Sequence, residues 1–410
     1  MGKSVILPLF GFFFVTAANT LRHMGVCQGW HIPPASAQCA RGTLHGMKNA
    51  DNRADEFKKP PSTEEMVEVA RWFYIDGLTK EQIRIRKKIH PHRLRWLLRQ
   101  AKEKGIVRID IYEPPGAELE RLENQLLKKF GHLEKVKVVP VGKIDGENDY
   151  AALIRRWGFE AASYFDTLAD QGTELNVGIS GGETLLEFVN SLLEKRRDNV
   201  RVFASALVGR GAFSQSSHVD PATNATLLWA KCGRLPGRCH YATVPPHDPK
   251  LQARSDIAAE LAMMAGRKPI QRVIEDMDEI NVAFAGLGLV NPPAGSPGLS
   301  NRLSATGLVK AMGVTPQKLG EEGALGDLGY CFFDENGNGK AAWRFFLTAG
   351  YFNPKQRGVE FYRQMVKDHK KVIVLAGTYK KRAIFAALKA KLFNVLITDA
   401  EAARGVLEMS

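Results

Sequence analysis

The 410-residue chain is long for one domain, and 44% hydrophobic with 25% charged side chains is the composition of a soluble globular protein with a sizeable core. Its five scattered cysteines, Cys27, Cys39, Cys232, Cys239 and Cys331, argue against a disulfide framework and fit a reducing cytoplasm; the Cys232…Cys239-His240 group lacks the second ligand pair that a zinc site needs. The net charge of +13 is concentrated: between Arg71 and Arg108, twelve Lys/Arg stand against three Asp/Glu, an excess suited to a polyanion such as DNA or to a solvated helix face.

Lys3 followed by the apolar run Val5–Ala18, with Val15 and Ala17 at cleavage positions, has the outline of a secretory signal, yet it is short for a membrane span. A secreted product conflicts with the DNA-binding features further on. Residues 1–59 are therefore expected to be disordered or a mis-assigned extension, with the native start further on, for example at Met47.

Residues 60–113 have the pattern of a winged helix-turn-helix. After Pro60-Pro61, Ser62 and Glu65 form a capping-box pair, Met66, Val69, Ala70 and Phe73 make one apolar stripe, and Gly77 closes the helix. Thr79 and Gln82 open a short second helix running to about Lys87. Pro91 suits the first position of a third helix, striped by Leu94, Leu97, Leu98 and Ala101 and ended by Gly105. Val107, Ile109 and Ile111 alternate as a strand, the wing. The polar face of the third helix carries His92, Arg93, Arg95, Trp96 and Arg99, which with Lys80 are the candidate DNA contacts; arginine can pair with guanine edges or hold phosphates. A plain three-helix bundle with a basic surface is the alternative.

The stretch Ala70–Ile111 resembles the N-terminal module of SorC-family regulators in the aromatic pair before Gly77-Leu78-Thr79, the Leu97-Leu98 pair and the Glu103–Ile109 exit. It departs from that pattern at Arg84 (a small residue there), Lys87 (leucine), Lys88 (the turn glycine), His90 (a capping serine) and Trp96 (arginine). Inward charges cost several kcal/mol unless they snorkel or pair, so the second helix is expected to be shortened or rotated, with sequence-specific DNA recognition in doubt.

Pro114-Pro115-Gly116 marks a boundary, and residues 114–410 form the second domain. Leu119, Leu122, Leu126 and Phe130 stripe a helix that either contributes to self-association or packs on a sheet. Strand-length apolar runs follow at Val136–Val141, Leu175–Ile179, Val200–Val208, Ile280–Leu287, Val372–Ala376 and Val395–Thr398. Helical patterns at Thr184–Lys195, Pro249–Ala265, Val359–Asp368, Lys381–Ala390 and Glu401–Leu407 alternate with them, which predicts an α/β domain with a parallel sheet and helices on both faces.

Two strand–loop–helix junctions carry the site. In the first, a strand ends in Ser180-Gly181-Gly182-Glu183-Thr184, where glycines admit an anion to backbone N–H groups and a helix start favours it. Glu183 is awkward beside a phosphate and would point away or bind a hydroxyl. In the second, a strand leads through Gly377 to Lys380 at a helix start, placing an ammonium where an anion would sit. The bland readings are a tight turn and three solvated basic residues.

From Glu118 to Glu408 the chain resembles the SorC-family effector domain through four ordered segments: Val177–Thr184, Gly326-Asp327 with Phe333–Gly337, Gly377–Ile384, and Leu396–Asp399 with Ala402-Ala403. The resemblance implies a fold related to glucosamine-6-phosphate deaminase and ribose-5-phosphate isomerase, and a phosphorylated sugar or polyol as effector. It also implies phosphate contacts at Ser180 to Thr184 and Lys380, with Arg210 and Asp327 as further effector residues. The expected function is a cytoplasmic, effector-controlled, dimeric or tetrameric regulator of carbohydrate or polyol metabolism that binds a double-stranded operator, with no membrane association, metal, cofactor or catalytic residue. An isomerase or deaminase is the alternative, with Asp327 and Glu183 as its only candidate carboxylates and no use for the basic N-terminal module. A third reading keeps the sensor and loses specific DNA binding.

Overall fold

The computed structural model describes residues 60–107, 109, 116–141, 147–208, 220–242, 244, 254–291, 309–310 and 312–410. The chain divides into two compact units, Met1–Ile111 and Tyr112–Ser410. The proposed leader and most of the wing lie outside the described residues.

In the first unit, α1 (Thr63–Tyr74), α2 (Lys80–Lys87) and α3 (Pro91–Glu103) close around Met66, Val69, Ile83, Leu94, Leu97 and Ala101. Ser62 caps α1, and Thr79 with Gln82 forms a complete capping box on α2. The second helix ends at Lys87, as its sequence predicts, and its charges find partners. Arg84 donates from Nε to Glu81 at 2.8 Å, Lys87 pairs with Glu68, and the Arg86 guanidinium lies 4.6 Å over the Trp72 ring. Lys88 takes the left-handed conformation at φ 54°, which costs a non-glycine residue roughly 1 kcal/mol. His90 caps α3 through Nδ1, which accepts from the His92 N–H at 3.3 Å.

A correction concerns Arg93. It is buried, with Nη2 donating to Glu65 at 2.8 Å, so this guanidinium ties α3 to α1 rather than facing outward. Lys80, His92, Arg95 and Arg99 are exposed and Trp96 is half-buried.

The second unit is built on a parallel sheet of β1 (Lys135–Val139), β2 (Leu175–Ile179), β3 (Val200–Ala204), β5 (Cys239–His240), β6 (Val282–Leu289), β10 (Lys371–Leu375) and β11 (Val395–Asp399), in the order β1-β11-β10-β6-β2-β3-β5. It is not purely parallel: β7 (Gly326–Leu328) and β8 (Cys331–Phe333) add antiparallel pairs at the end of β6. The single run expected over Val200–Val208 is two strands, because β4 (Ala206–Leu207) leaves the main sheet to pair with β9 (Leu347–Thr348).

Helices α5 (Glu147–Ala169), α6 (Glu183–Ser191) and α7 (Pro221–Lys231) cover one face, where Phe188 stacks on Phe284 of β6 at 4.3 Å. The other face carries α4 (Ala117–Lys129), α8 (Arg254–Ala265), α9 (Lys268–Met277), α11 (Val359–Lys367), α12 (Lys381–Lys389) and α13 (Ala400–Glu408), with the short α10 (Pro316–Glu321) beyond β6. Helix α6 stops at Ser191, short of the expected Lys195. The Ser191 hydroxyl donates back to the Glu187 carbonyl, Leu192 turns extended, and the Lys195 N–H is taken by Lys231. The leucine stripe of α4 is spent inside the unit: Leu119, Leu122 and Leu126 are buried against β1 and α13, and Glu118 pairs with Arg404 at 2.6 Å.

From β2 the chain moves outward to β3 and β5, then returns to β6 on the other side of β2. The strand order therefore reverses between β2 and β6. Carboxyl ends of strands at such a reversal splay their loops apart and leave a crevice.

Candidate functional site

The crevice collects the candidate residues around the end of one strand. The Ser180 Oγ accepts from the Gly286 N–H at 3.1 Å, and the Lys380 Nζ donates to the Leu287 carbonyl at 2.5 Å. Asp327 stands opposite Gly288 in the β6–β7 register. Three consecutive residues of β6 thus touch or pair with all three elements that the sequence singles out separately.

The β2–α6 loop is held in place from behind. The Ser180 N–H donates to the Phe284 carbonyl at 3.1 Å. Asn224, wholly buried on α7, donates from Nδ2 to the carbonyls of Ser180 at 3.0 Å and Gly182 at 3.4 Å. Gly182 begins α6 at φ +110°, and the helix start has no side-chain cap. Turning the Ser180 and Gly182 carbonyls into protein, beside a helix start without a side-chain cap, favours an anion at the loop backbone, opposed by the Glu183 carboxylate in the same stretch. Glu183 and Thr184 are half-buried in the first turn of α6; the helix dipole favours the carboxylate there.

The β10–α12 junction is clamped by Asp399 at the end of β11. Its Oδ2 accepts from both the N–H and the hydroxyl of Thr378 at 2.8 Å, and its Oδ1 caps α13 through the Ala402 N–H at 2.8 Å. Thr378 is thereby held at φ 44° in a 3-10 turn, Thr378–Lys380, that delivers the Lys380 ammonium to β6. Burial lowers the proton affinity of Lys380, and the Asp327 charge opposes that shift. Arg210 lies outside the described residues.

Asp327 is buried; its Oδ2 accepts from the Tyr330 N–H at 3.2 Å, while its Oδ1 has no hydrogen-bond partner among the described residues. Burial raises the carboxyl to about 6, against the opposing pull of the Tyr330 hydrogen bond and the Lys380 charge. Between its ordinary 3.8 and about 6, the folded state keeps a proton that the unfolded chain has lost. Stability from this group is therefore full below the lower value and is lost as pH rises through the upper one. Denaturant titrations of the parent and Asp327→Asn across this range should differ in slope, the parent losing stability relative to the variant as pH rises; parallel curves would contradict the assignment.

Asn224, Asp399 and the Gly286–Gly288 strand end shape the candidate site and were not among the residues expected from sequence. Asp399 was visible only as part of a matched segment, and Asn224 sits on a helix whose cap, Asp220-Pro221, was its one local signal. Among the described residues, no group of three His, Cys, Asp or Glu side chains could hold a metal ion. Burial raises the Cys232 thiol to about 11 and Cys239 to about 12, and His240 is engaged by Asp276 at 2.8 Å. No helix among the described residues is long and apolar enough to cross a membrane.

An α/β unit with a mainly parallel sheet and a helix start without a side-chain cap, a half-buried lysine and a buried carboxylate gathered at its switch point is the outline of a small-molecule-binding domain. Residues 115–408 match the family described as "Putative sugar-binding domain". The chain is 27% identical over 341 residues to the deoxyribonucleoside regulator of Bacillus subtilis, covering 83% of this chain and 96% of the relative. It is 24% identical over 345 residues to the sorbitol operon regulator of Klebsiella pneumoniae, covering 84% and 97%. The crystal structure of that full-length regulator, SorC, superposes with a TM-score of 0.54 at 21% identity, covering 85% of this chain and all of the other. The chain belongs to the SorC family of sugar-binding transcriptional regulators.

Proposed function

We propose that the chain binds operator DNA through α1–α3 and changes that grip when a phosphorylated sugar or polyol occupies the crevice between β2, β6 and β10. The observation that carries the effector class is the Lys380 ammonium, brought to the strand edge beside the uncapped start of α6. A neutral sugar is recognised by hydrogen bonds alone, whereas a phosphate repays the burial of a cation. Ser180 to Thr184 and Lys380 take the phosphate, Asp327 accepts from a sugar hydroxyl, and Gly377 and Asp399 set the turn. The relatives named for deoxyribonucleoside and sorbitol operons, and the kinship proposed with the deaminase and isomerase fold, agree with this class. A thermal-shift panel of sugar and polyol phosphates tests it. A specific ligand at 100 times its dissociation constant stabilises by about 2.7 kcal/mol; a panel without any response contradicts the class.

The DNA face of α3 is His92, Arg95, Trp96 and Arg99, with Lys80 at the start of α2, and Arg93 is withdrawn from it. The working form is a cytoplasmic homodimer or homotetramer, because paired half-sites require a symmetric reader. Replacing Arg95 and Arg99 together by alanine should weaken DNA retention on the order of 100-fold, about 2.8 kcal/mol. Both are exposed and the Arg99–Glu103 pair at 3.7 Å is a surface contact, so the thermal midpoint should barely move. A large loss of stability would make these residues structural. The inward turn of Arg93 favours one second reading, a sensor that holds DNA without reading sequence; its signature is retardation that is salt-sensitive and alike on every duplex. An isomerase or deaminase would have to use Asp327 or Glu183 as its carboxylate, and relatives named as regulators make it the weaker assignment.

A further inference from the structure

A cavity of about 70 Å³ is walled by β8, the 3-10 turn Ala341–Trp343, the segment through Tyr351 and the start of α11. None of Ser180 to Thr184, Gly377 or Lys380 lines it. Its wall carries two half-buried arginines, Arg344 and Arg357. Neither guanidinium has a hydrogen-bond or ion-pair partner among the described residues, and the Arg357 Nε is buried with no acceptor. Arg357 lies 5.1 Å from the centre of the Tyr351 ring, within cation–π reach. Among the described residues, the one carboxylate in the wall, Glu360, is engaged by Arg363. Gly358, Val359 and Glu360 also line the cavity, so the side-chain-uncapped start of the nine-residue α11 opens onto it.

Two like charges placed together out of water are costly unless a counter-charge joins them. Burial and then the neighbouring Arg357 charge lower the proton affinity of Arg344, against smaller opposing pulls from Cys331 and Tyr351. The cavity falls well short of the roughly 300 Å³ at which whole small-molecule sites begin, so it suits one anionic group. Guanidinium forks match tetrahedral oxyanions two oxygens at a time.

We propose that the Arg344–Arg357 pocket binds a compact oxyanion of the phosphate class, either free phosphate or the phosphoryl end of a metabolite, at a site distinct from the Lys380 crevice. The full chain is titrated with sodium phosphate and, separately, with ribose 5-phosphate, each against sodium chloride at equal ionic strength, following the thermal midpoint and the 31P signal of the anion. A saturable rise of several degrees is expected that persists in Lys380→Ala and, in that Lys380→Ala background, disappears on adding Arg344→Gln/Arg357→Gln. A response to phosphate alone assigns the free anion, and a response to the ester alone assigns the phosphoryl end. Arg357→Lys keeps charge and stem, and should weaken binding at least fivefold even if the double variant does not fold. An unaltered response in the Arg357→Lys variant, a response lost in Lys380→Ala alone, or no saturable response overturns the site. If phosphate instead dissociates an oligomer without becoming bound, the pocket belongs to an acidic side chain of a second copy and the proposal fails. The Lys380 assignment rests on the effector panel, so either site can fail alone.

Discussion

Gly377→Ala is expected to lower the thermal midpoint by about 5–10 °C and to remove effector binding with it. A Cβ at this position would stand 1.9 Å from the Asp399 Oδ2 and 2.5 Å from the Trp157 Cζ2. Neither neighbour can yield cheaply. Trp157 is fully buried between α5 and the sheet, and Asp399 is fixed by hydrogen bonds to Thr378 and Ala402. Overpacking of this kind costs about 3 kcal/mol, and each kcal/mol moves the midpoint of a domain this size by about 2–3 °C. Any relief must displace Asp399, which releases the Thr378 turn and with it the Lys380 ammonium. The same change at Gly131, where an added methyl meets nothing within 4 Å, supplies the background and should shift the midpoint little. Equal shifts at the two positions in a calorimetric scan would show that the clamp at β11 does not set the site.

Lys380→Ala should leave the fold in place and weaken a phosphorylated effector by 100- to 1000-fold, about 2.8–4.1 kcal/mol. The lysine donates to the Leu287 carbonyl, which β6 presents at its end, so the sheet does not depend on it. What is lost is the cation brought to the crevice by the β10 junction, opposite a loop with no lysine or arginine of its own from Ser180 to Thr184. The Asp327 carboxyl also loses its neighbouring cation, which pushes its proton affinity further up. Isothermal titration of parent and variant with the best ligand of the panel checks this. Wild-type affinity in the variant would remove Lys380 from the site, and a collapse of the fold would make it structural.

The sequence announced the elements whose signals are local. The Ser62 cap, the Thr79 capping box, the Pro91 start and the leucine stripe of α3 depend on spacings of three or four residues and recur in the structure, although Glu65 turns its carboxylate to Arg93 and leaves the box at Ser62 incomplete. The strand runs at Leu175, Val372 and Val395 are buried on both faces and read as continuous apolar segments. What stayed hidden depends on contacts distant in the chain. Arg93 looked like a DNA contact because its partner, Glu65, is 28 residues away. The charges of α2 looked destabilising because Glu68 and Trp72 belong to another helix. Asn224 reaches the Ser180 loop across 44 residues, and Lys380 reaches Leu287 across 93. A motif scan finds each loop, but only the crossover from β5 back to β6 shows that they share one strand end.

The most direct test is footprinting of the purified full chain on the DNA upstream of its own coding sequence, with and without the sugar phosphate selected by the thermal panel. The predicted result is one protected segment whose occupancy the ligand changes at least tenfold in the parent and leaves unchanged in Lys380→Ala. Protection that is indifferent to sequence, or that the ligand alters equally in parent and variant, would contradict a regulator controlled from the β2–β6–β10 crevice.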